Sequence, residues 1–189
     1  MALKSEATGS EIYALLEEYE KSVSGTPRIL LILSSVLERT IIKNEKLLKV
    51  SKKKDVVTVF HGTKAPTLSI QQYVERIYKY SKCSPSCFVV AYIYIERYLQ
   101  RPDAYLTSSN VHRLLITSIM TAAKFLENEF IGNTYYAKVG GVSTEEMNRL
   151  EMNFLFNLDF RLVVSPDVFG KYCLQLEKEG LPNRINKPN

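Results

Sequence analysis

The stretch Ser84-Pro85-Ser86-Cys87-Phe88-Val89-Val90-Ala91-Tyr92-Ile93-Tyr94-Ile95-Glu96-Arg97-Tyr98-Leu99 decides the fold class. Its middle, Phe88 to Ile95, is apolar and rich in β-branched and aromatic residues, which taken alone suits a buried strand. Two features favour a buried helix. The run continues through Glu96-Arg97-Tyr98-Leu99 beyond the usual length of a strand, and Ser84-Pro85 is a helix-start signal, with Pro102 stopping the element on the far side. Read as a helix over Pro85 to Leu99, it makes every strong periodic segment of the chain helical.

The next segment downstream agrees. From about Asn110 to Asn128 the apolar residues Val111, Leu114, Leu115, Ile116, Ile119, Met120, Ala122, Ala123, Phe125 and Leu126 cover nearly every side of a helix, the pattern of an element at the centre of its domain. After a loop containing Tyr135-Tyr136 and Gly140-Gly141, Ser143-Thr144-Glu145-Glu146 predicts a capping box for a helix reaching about Asn157. Ser165-Pro166-Asp167 opens a last helix, which Gly180 stops, and Leu181 to Asn189 reads as a polar, flexible tail. Upstream, Ser69 with Gln72 resembles a capping box for a helix carrying Ile70, Tyr73, Val74 and Ile77 on one face. Thr26-Pro27 is expected to cap a run from Arg28 to Leu48 with proline at the first helical position, and a shorter segment with Ile12, Leu15, Leu16, Tyr19 and Val23 precedes it, ending at Gly25.

Composition narrows the function classes. The chain has 189 residues, 46% hydrophobic and 24% charged, enough to bury a full core. It holds no run of about 18 apolar residues and no charged-then-apolar start, so neither a membrane span nor a secretory signal is expected. Three cysteines do not make a disulfide framework and fit a reducing compartment; the expectation is an intracellular protein. The net charge of +5 is a mild excess of 25 basic over 20 acidic residues. Its densest part, Arg39, Lys43, Lys46, Lys49 and Lys52 to Lys54, has no interleaved aromatic residue and reads as a solvated face rather than a nucleic-acid surface. Two histidines leave little for His-based catalysis. The signatures of nucleotide binding, zinc hydrolysis and serine hydrolysis are absent. Gly140-Gly141 reads as a turn rather than a phosphate loop. Cys83 and Cys87 would need Cys173 or His112 to complete a zinc site and read as buried free thiols. No metal, cofactor or small-molecule substrate is expected, and no nucleophile, base and orienter can be assembled.

Two charges stand where apolar residues belong. Met147, Leu150, Phe154, Leu155 and Leu158 define one face of a helix, and at about 100° per residue Glu151 falls within roughly 40° of its centre. Lys124 is the only charged residue between Arg113 and Glu127, near the C-terminus of its helix, where a cation is favoured. A carboxylate and an ammonium so placed need partners. They meet each other as an internal ion pair, or they form a polar anchor at a protein interface; the spacing leaves both open.

The residues around these two charges resemble those of a cyclin. Tyr94-Ile95-Glu96-Arg97-Tyr98-Leu99 is similar to the Tyr-x-Asp-Arg-Phe-Leu signature that closes the second helix of a cyclin box. Ala122-Ala123-Lys124-Phe125-Leu126-Glu127 is similar to the Ala-Ser-Lys-Phe-x-Glu end of the third, and Arg149-Leu150-Glu151 with Leu158-Asp159-Phe160 is similar to Arg-Met-Glu and Leu-x-Phe of the fifth. Phe60-His61-Gly62, Tyr80 to Phe88, Asn110 to Leu115 and Tyr135 to Gly141 resemble the plant P-type and U-type cyclins, relatives of the fungal phosphate-signalling cyclins. The resemblance implies an all-α fold: a single five-helix cyclin box with flanking N-terminal helices and one C-terminal helix. The expected organisation is a helical extension over 1–58, the box and closing helix over 59–176, and a flexible tail over 177–189.

The resemblance further implies a non-catalytic regulatory subunit that binds and activates a cyclin-dependent serine/threonine kinase, in the nucleus or cytoplasm, controlling cell-cycle or nutrient-linked phosphorylation. Lys124, Glu151, Glu127 and Phe125 would form the kinase-binding set, and Glu96 and Arg97 would hold the box together. Pro66-Thr67-Leu68-Ser69-Ile70 stands where mitotic and S-phase cyclins carry the Met-Arg-x-x-Leu substrate-docking patch, and a second cyclin fold after Phe160 is not expected. The rival classes are a cyclin-fold adaptor that binds nucleic acid or a transcription complex through its basic surface, and a helical scaffold that binds a kinase without activating it.

Overall fold

The ambiguous stretch forms a helix. In the computed structural model, which describes residues 25–63 and 66–180, Pro85–Leu99 is helical throughout, with Ser84 at the N-cap position in extended conformation. We number the helices α1 (Arg28–Ser51), α2 (Ile70–Ser81), α3 (Pro85–Leu99), α4 (Val111–Leu126), α5 (Asn133–Gly140), α6 (Thr144–Asn157) and α7 (Pro166–Gly180), and no strand occurs among the described residues. The expected helix around Ile12 to Val23 and the tail from Leu181 lie outside the described residues. Residues 177–180, placed above in the tail, continue α7.

Helix α4 is the hub, as its all-round apolar pattern requires. Every residue from Leu114 to Ala123 on it is buried, including Thr117, Ser118 and Thr121. Those three hydroxyls cost little there, because each bonds to a backbone carbonyl one turn earlier in the same helix. Around α4 pack α2, α3, α5 and α6, while α1 and α7 close against α3 from the other side. The core is continuous across residue 58: Ile29, Leu30, Leu33 and Leu37 of α1 belong to the same cluster as Leu115 and Ile119 of α4. Between α1 and α2 the chain buries Phe60 completely. Its ring meets Tyr98 edge-on at 5.3 Å and Phe154 at 6.1 Å, so one aromatic ties the connecting segment to α3 and α6.

Local signals and structure differ at three places. Pro27 sits at the N-cap of α1 rather than at its first helical position, with its carbonyl accepting from Leu30 N–H at 2.9 Å. The Tyr135-Tyr136 segment, read as a loop, is the short helix α5. It begins after Gly132 without a side-chain cap and is held by burial of Tyr136, Ala137 and Val139, so tertiary packing replaces the local signals. It supplies the fourth of five helices between Ile70 and Asn157. At α6, Ser143 Oγ accepts from Glu146 N–H at 3.0 Å, but the reciprocal half of the expected box is absent. Glu146 turns instead to Arg113 on α4, with a 2.6 Å contact between Nε and Oε1, a bond in which both partners are charged. The Ser69–Gln72 box of α2 forms in full.

Candidate partner-binding site

Lys124 lies in the last turn of α4, two residues from its end. Its Nζ donates to Glu151 Oε1 of α6 at 2.7 Å and to Asn133 Oδ1, the first residue of α5. Asn133 completes the circuit by donating through Nδ2 to Glu151 Oε2 and to Asn148 Oδ1, both at 2.7 Å. Three helices therefore meet in one polar cluster. The internal ion pair left open by the sequence is formed, yet it is not sealed in the core: the side chains of Lys124 and Glu151 remain 21% and 16% exposed. Glu151 shares its side of α6 with the half-buried Leu155, while Met147, Leu150 and Phe154 take the fully buried positions. The calculated face of α6 was thus right in direction, and Glu151 occupies its rim.

An apolar frame surrounds the cluster. Phe130 places its ring 5.7 Å from the Lys124 ammonium, a cation–π contact of roughly 0.5–1 kcal/mol at an exposed site. Phe125, Leu126 and Phe130 are exposed, as are Met152 and Phe156 on α6. An ammonium has three donor hydrogens, and the pair uses two acceptors. The arrangement offers a fixed donor and a fixed acceptor beside apolar surface, which is suited to peptide groups of another chain; it holds no nucleophile with an adjacent base.

The remaining expected residues fall into two other places. Glu127, expected on the partner-binding surface with Lys124, turns into the chain: its Oε1 accepts from Ser84 N–H at 2.9 Å and from the Cys87 thiol at 3.1 Å. Burial alone would raise this carboxyl, but those donors hold it below the ordinary carboxylate range. Glu127 thereby satisfies the N-terminus of α3 from the end of α4. Arg97 reaches the segment that follows α6. Its guanidinium donates to the carbonyls of Arg161 at 2.7 Å and Val163 at 3.0 Å, while Tyr94 Oη donates to Leu162 O at 2.7 Å. The chain leaving α6 is thus pinned along α3. Tyr92 packs its ring edge-on to Tyr172 of α7 at 5.8 Å, and burial, followed by the charge of nearby Glu96, raises the Tyr92 hydroxyl.

Asn133 and Phe130 were not singled out in the sequence. Both lie in the segment read as a loop, and the only pointer to them was indirect: a lysine and a glutamate on apolar faces require a further polar group. The basic end of α1 is exposed at Lys43, Lys46 and Lys49, and Ile42, Leu47 and Val50 are exposed beside them. Among the described residues no helix is long and apolar enough to cross a membrane, and no group of three or more His, Cys, Asp or Glu is placed to hold a metal ion.

Comparison with known proteins agrees with this architecture. The model of the family described as Cyclin matches residues 27–162, a span that begins at α1 and ends with the segment pinned by Arg97. The chain is 57% identical over 173 residues to Cyclin-P3-1 of Oryza sativa subsp. japonica, covering 92% of this chain and 73% of that protein. It is 53% identical over 153 residues to Cyclin-U4-1 of Arabidopsis thaliana, covering 80% and 76%. With Cyclin-U1-1 of the same plant the identity is 50% over 158 residues, covering 82% and 75%.

Proposed function

The chain belongs to the cyclin family, whose members are regulatory rather than catalytic, and from that premise we propose that it binds and activates a cyclin-dependent serine/threonine kinase. The observation that carries the reading is the cluster of Lys124, Glu151 and Asn133 at an apolar rim, because Lys124 and Glu151 stand on motif positions that resemble those of cyclins. In this reading the Lys124 ammonium and the Glu151 carboxylate bond backbone groups of the kinase beside its regulatory helix, and Phe125 supplies apolar contact. Glu127 acts one step back, fixing the end of α4 against α3.

Activation is then a shift of population. The cyclin surface favours the kinase conformer in which the kinase's own Lys–Glu ion pair is assembled and its activation segment is withdrawn from the active site. Such a complex would serve cell-cycle or nutrient-linked phosphorylation in the nucleus or cytoplasm. Co-purification with a cyclin-dependent kinase, followed by a phosphorylation assay, tests this for the wild-type chain, Lys124→Glu and Glu151→Ala. Both variants are expected to stay helical and to lose the kinase. A folded variant that binds and activates normally overturns the assignment, and a wild-type chain that binds without activating identifies a scaffold.

A further inference from the structure

The last turns of α1 carry a face that the rest of the fold does not cover. At about 100° per residue, Ile42, Lys43, Lys46, Leu47, Lys49 and Val50 fall within roughly 160° of the helix circumference, and all of them are exposed. Ile41 and Leu48, on the opposite side, are buried. The residues that flank the buried side seat the helix: Asn44 Nδ2 donates to Leu106 O at 3.1 Å, and Glu45 Oε1 accepts from Ser108 N–H at 2.9 Å. The outward side is a convex surface in which lysines and aliphatic side chains are interspersed.

The same composition continues past the helix end. Lys52, Lys53 and Lys54 are exposed, and Val56 and Val57 are 55% and 81% exposed. These valines stand between two anchored residues: Asp55 Oδ2 accepts from Thr107 Oγ1 at 3.0 Å, and Thr58 N–H donates to His61 Nδ1 at 2.9 Å. A solvated helix face ordinarily carries both signs of charge, paired at i, i+3 or i, i+4. Here Lys43, Lys46 and Lys49 follow one another at i, i+3, a spacing at which like charges work against the helix. Among the described residues none of the three is in an ion pair. Arg39, one turn earlier, does pair, with Glu179 of α7 at 2.6 Å, while the carboxylate of Glu45 is turned to Ser108. Uncompensated cations and exposed aliphatic groups thus coincide at one end of α1.

We propose that this face binds the surface of an anionic lipid bilayer, with the lysine ammonium groups against the anionic headgroups and the aliphatic side chains set among them. The contact is peripheral and spans nothing. Shape, charge and side-chain type select this occupant. A convex face offers no groove to a peptide, and a second copy of the face would set lysine against lysine. The cations are lysines, compact point charges suited to a diffuse anionic surface rather than to one bidentate ligand. The apolar members are aliphatic, with no ring on which a nucleobase could stack, and they gain from a bilayer what a phosphate backbone does not provide. The contact also leaves the partner-binding cluster free. Glu45 holds α1 to Ser108, just ahead of α4, whereas Lys124 lies in the last turn of that helix, about 24 Å along it at 1.5 Å per residue. A chain resting on a bilayer through α1 would therefore carry Lys124 at the far end of α4.

The test is co-sedimentation of the full chain with vesicles of phosphatidylcholine alone and of phosphatidylcholine with phosphatidylserine, at low and at high salt, beside a binding titration with a DNA duplex. The chain is expected to bind the serine-lipid vesicles at least about tenfold more tightly than the neutral ones, and to leave them as salt shortens the reach of the surface charge. Each lysine at such a surface is worth about fivefold in partition, so Lys46→Glu combined with Lys49→Glu should lower binding about 25-fold or more. Ile42→Ser combined with Val50→Ser should lower it about tenfold and leave the salt dependence in place. All four positions are exposed, and circular dichroism checks that both variants stay helical. Equal binding to the two kinds of vesicle overturns the proposal, as does the absence of binding to either at low salt, which would leave an acidic protein segment as the occupant that the charge fits. Tighter binding to the duplex than to the anionic vesicles identifies a nucleic-acid surface and overturns it too. The wild-type comparisons need no variant to fold.

Discussion

Replacing Lys124 and Glu151 singly and together measures what the pair contributes in the free chain. At 2.7 Å and an effective dielectric of about 20, the Coulomb attraction is of the order of 6 kcal/mol, and most of it is offset by partial removal of both groups from water. What remains should be close to that of a hydrogen bond between charged groups, about 1.5–3 kcal/mol. Glu151→Ala leaves Lys124 with Asn133 Oδ1 and with access to solvent, so its cost is expected near 2 kcal/mol rather than the 3–5 of a fully buried orphaned charge. Lys124→Met leaves Glu151 bonded to Asn133 Nδ2 and should cost somewhat less, about 1–2 kcal/mol. The coupling energy from the cycle should then be about 1–2 kcal/mol. In a chain of this size each kcal/mol moves the melting temperature by about 2–4 °C, so circular dichroism melts with urea titrations resolve it. A coupling near zero would mean that the pair is not formed in solution. A single-variant loss above about 4 kcal/mol would show a sealed core pair, and the exposed-rim geometry would be refuted.

Two further perturbations test the packing and the electrostatics. A Cβ on Gly140 would lie 2.6 Å from Ile116 Cγ1, so Gly140→Ala should destabilise by about 1–2 kcal/mol after its helix-propensity gain. Combining it with Ile116→Ala should cost less than the two single losses added, and strict additivity in urea unfolding would show that α4 and α5 do not approach so closely. Burial, aided by the neighbouring Arg113 and opposed by the bond from Nε2 to Leu68 O at 3.0 Å, lowers the His112 pKa, and its Nδ1 is buried without a partner among the described residues. Its folded pKa lies below its unfolded value, so the unfolded chain binds more protons in that window. The stability it contributes is complete above about pH 6.5 and is lost as pH falls through the folded value. The urea midpoint should drop between neutral and mildly acidic pH, and His112→Gln should flatten that drop; an unchanged pH profile refutes the assignment.

Local chemistry made most helices legible. Ser69 with Gln72, Ser84-Pro85 and Ser143 announced three helix starts, and the apolar wrap from Val111 to Leu126 announced the hub. Helix α5 was not legible because its eight residues carry no cap and no clean period; it is helical because Tyr136, Ala137 and Val139 find a core that only the assembled chain provides. Glu146 was misread for a related reason. Its alternatives, a local backbone amide or Arg113 thirty-three residues away, are separated by tertiary structure alone. Of the site, Lys124 and Glu151 were visible as charges in apolar patterns. Asn133 and the inward turn of Glu127 depend on which helix ends meet, and sequence spacing does not encode that.

The two sequence readings of Lys124 and Glu151 are compatible with one another. A lysine with four rotatable bonds, left free at a helix end, would lose about 2 kcal/mol of side-chain entropy when a partner ordered it. Here Asn133 and Glu151 have already fixed the ammonium, and Asn133 in turn fixes both oxygens of interest, Oε1 through the shared lysine and Oε2 directly. In the proposed complex the internal bonds would lower the cost of ordering the site. They also leave capacity: the ammonium keeps a third hydrogen, and each carboxylate oxygen keeps a lone pair. Asn133→Ala separates the two contributions. It should leave the Lys124–Glu151 bond in place and cost about 1 kcal/mol of stability, while weakening kinase capture more than that loss alone would, because the pair would then be held by one contact in place of three. Equal small effects on stability and capture would show that pre-ordering by Asn133 has no part in binding.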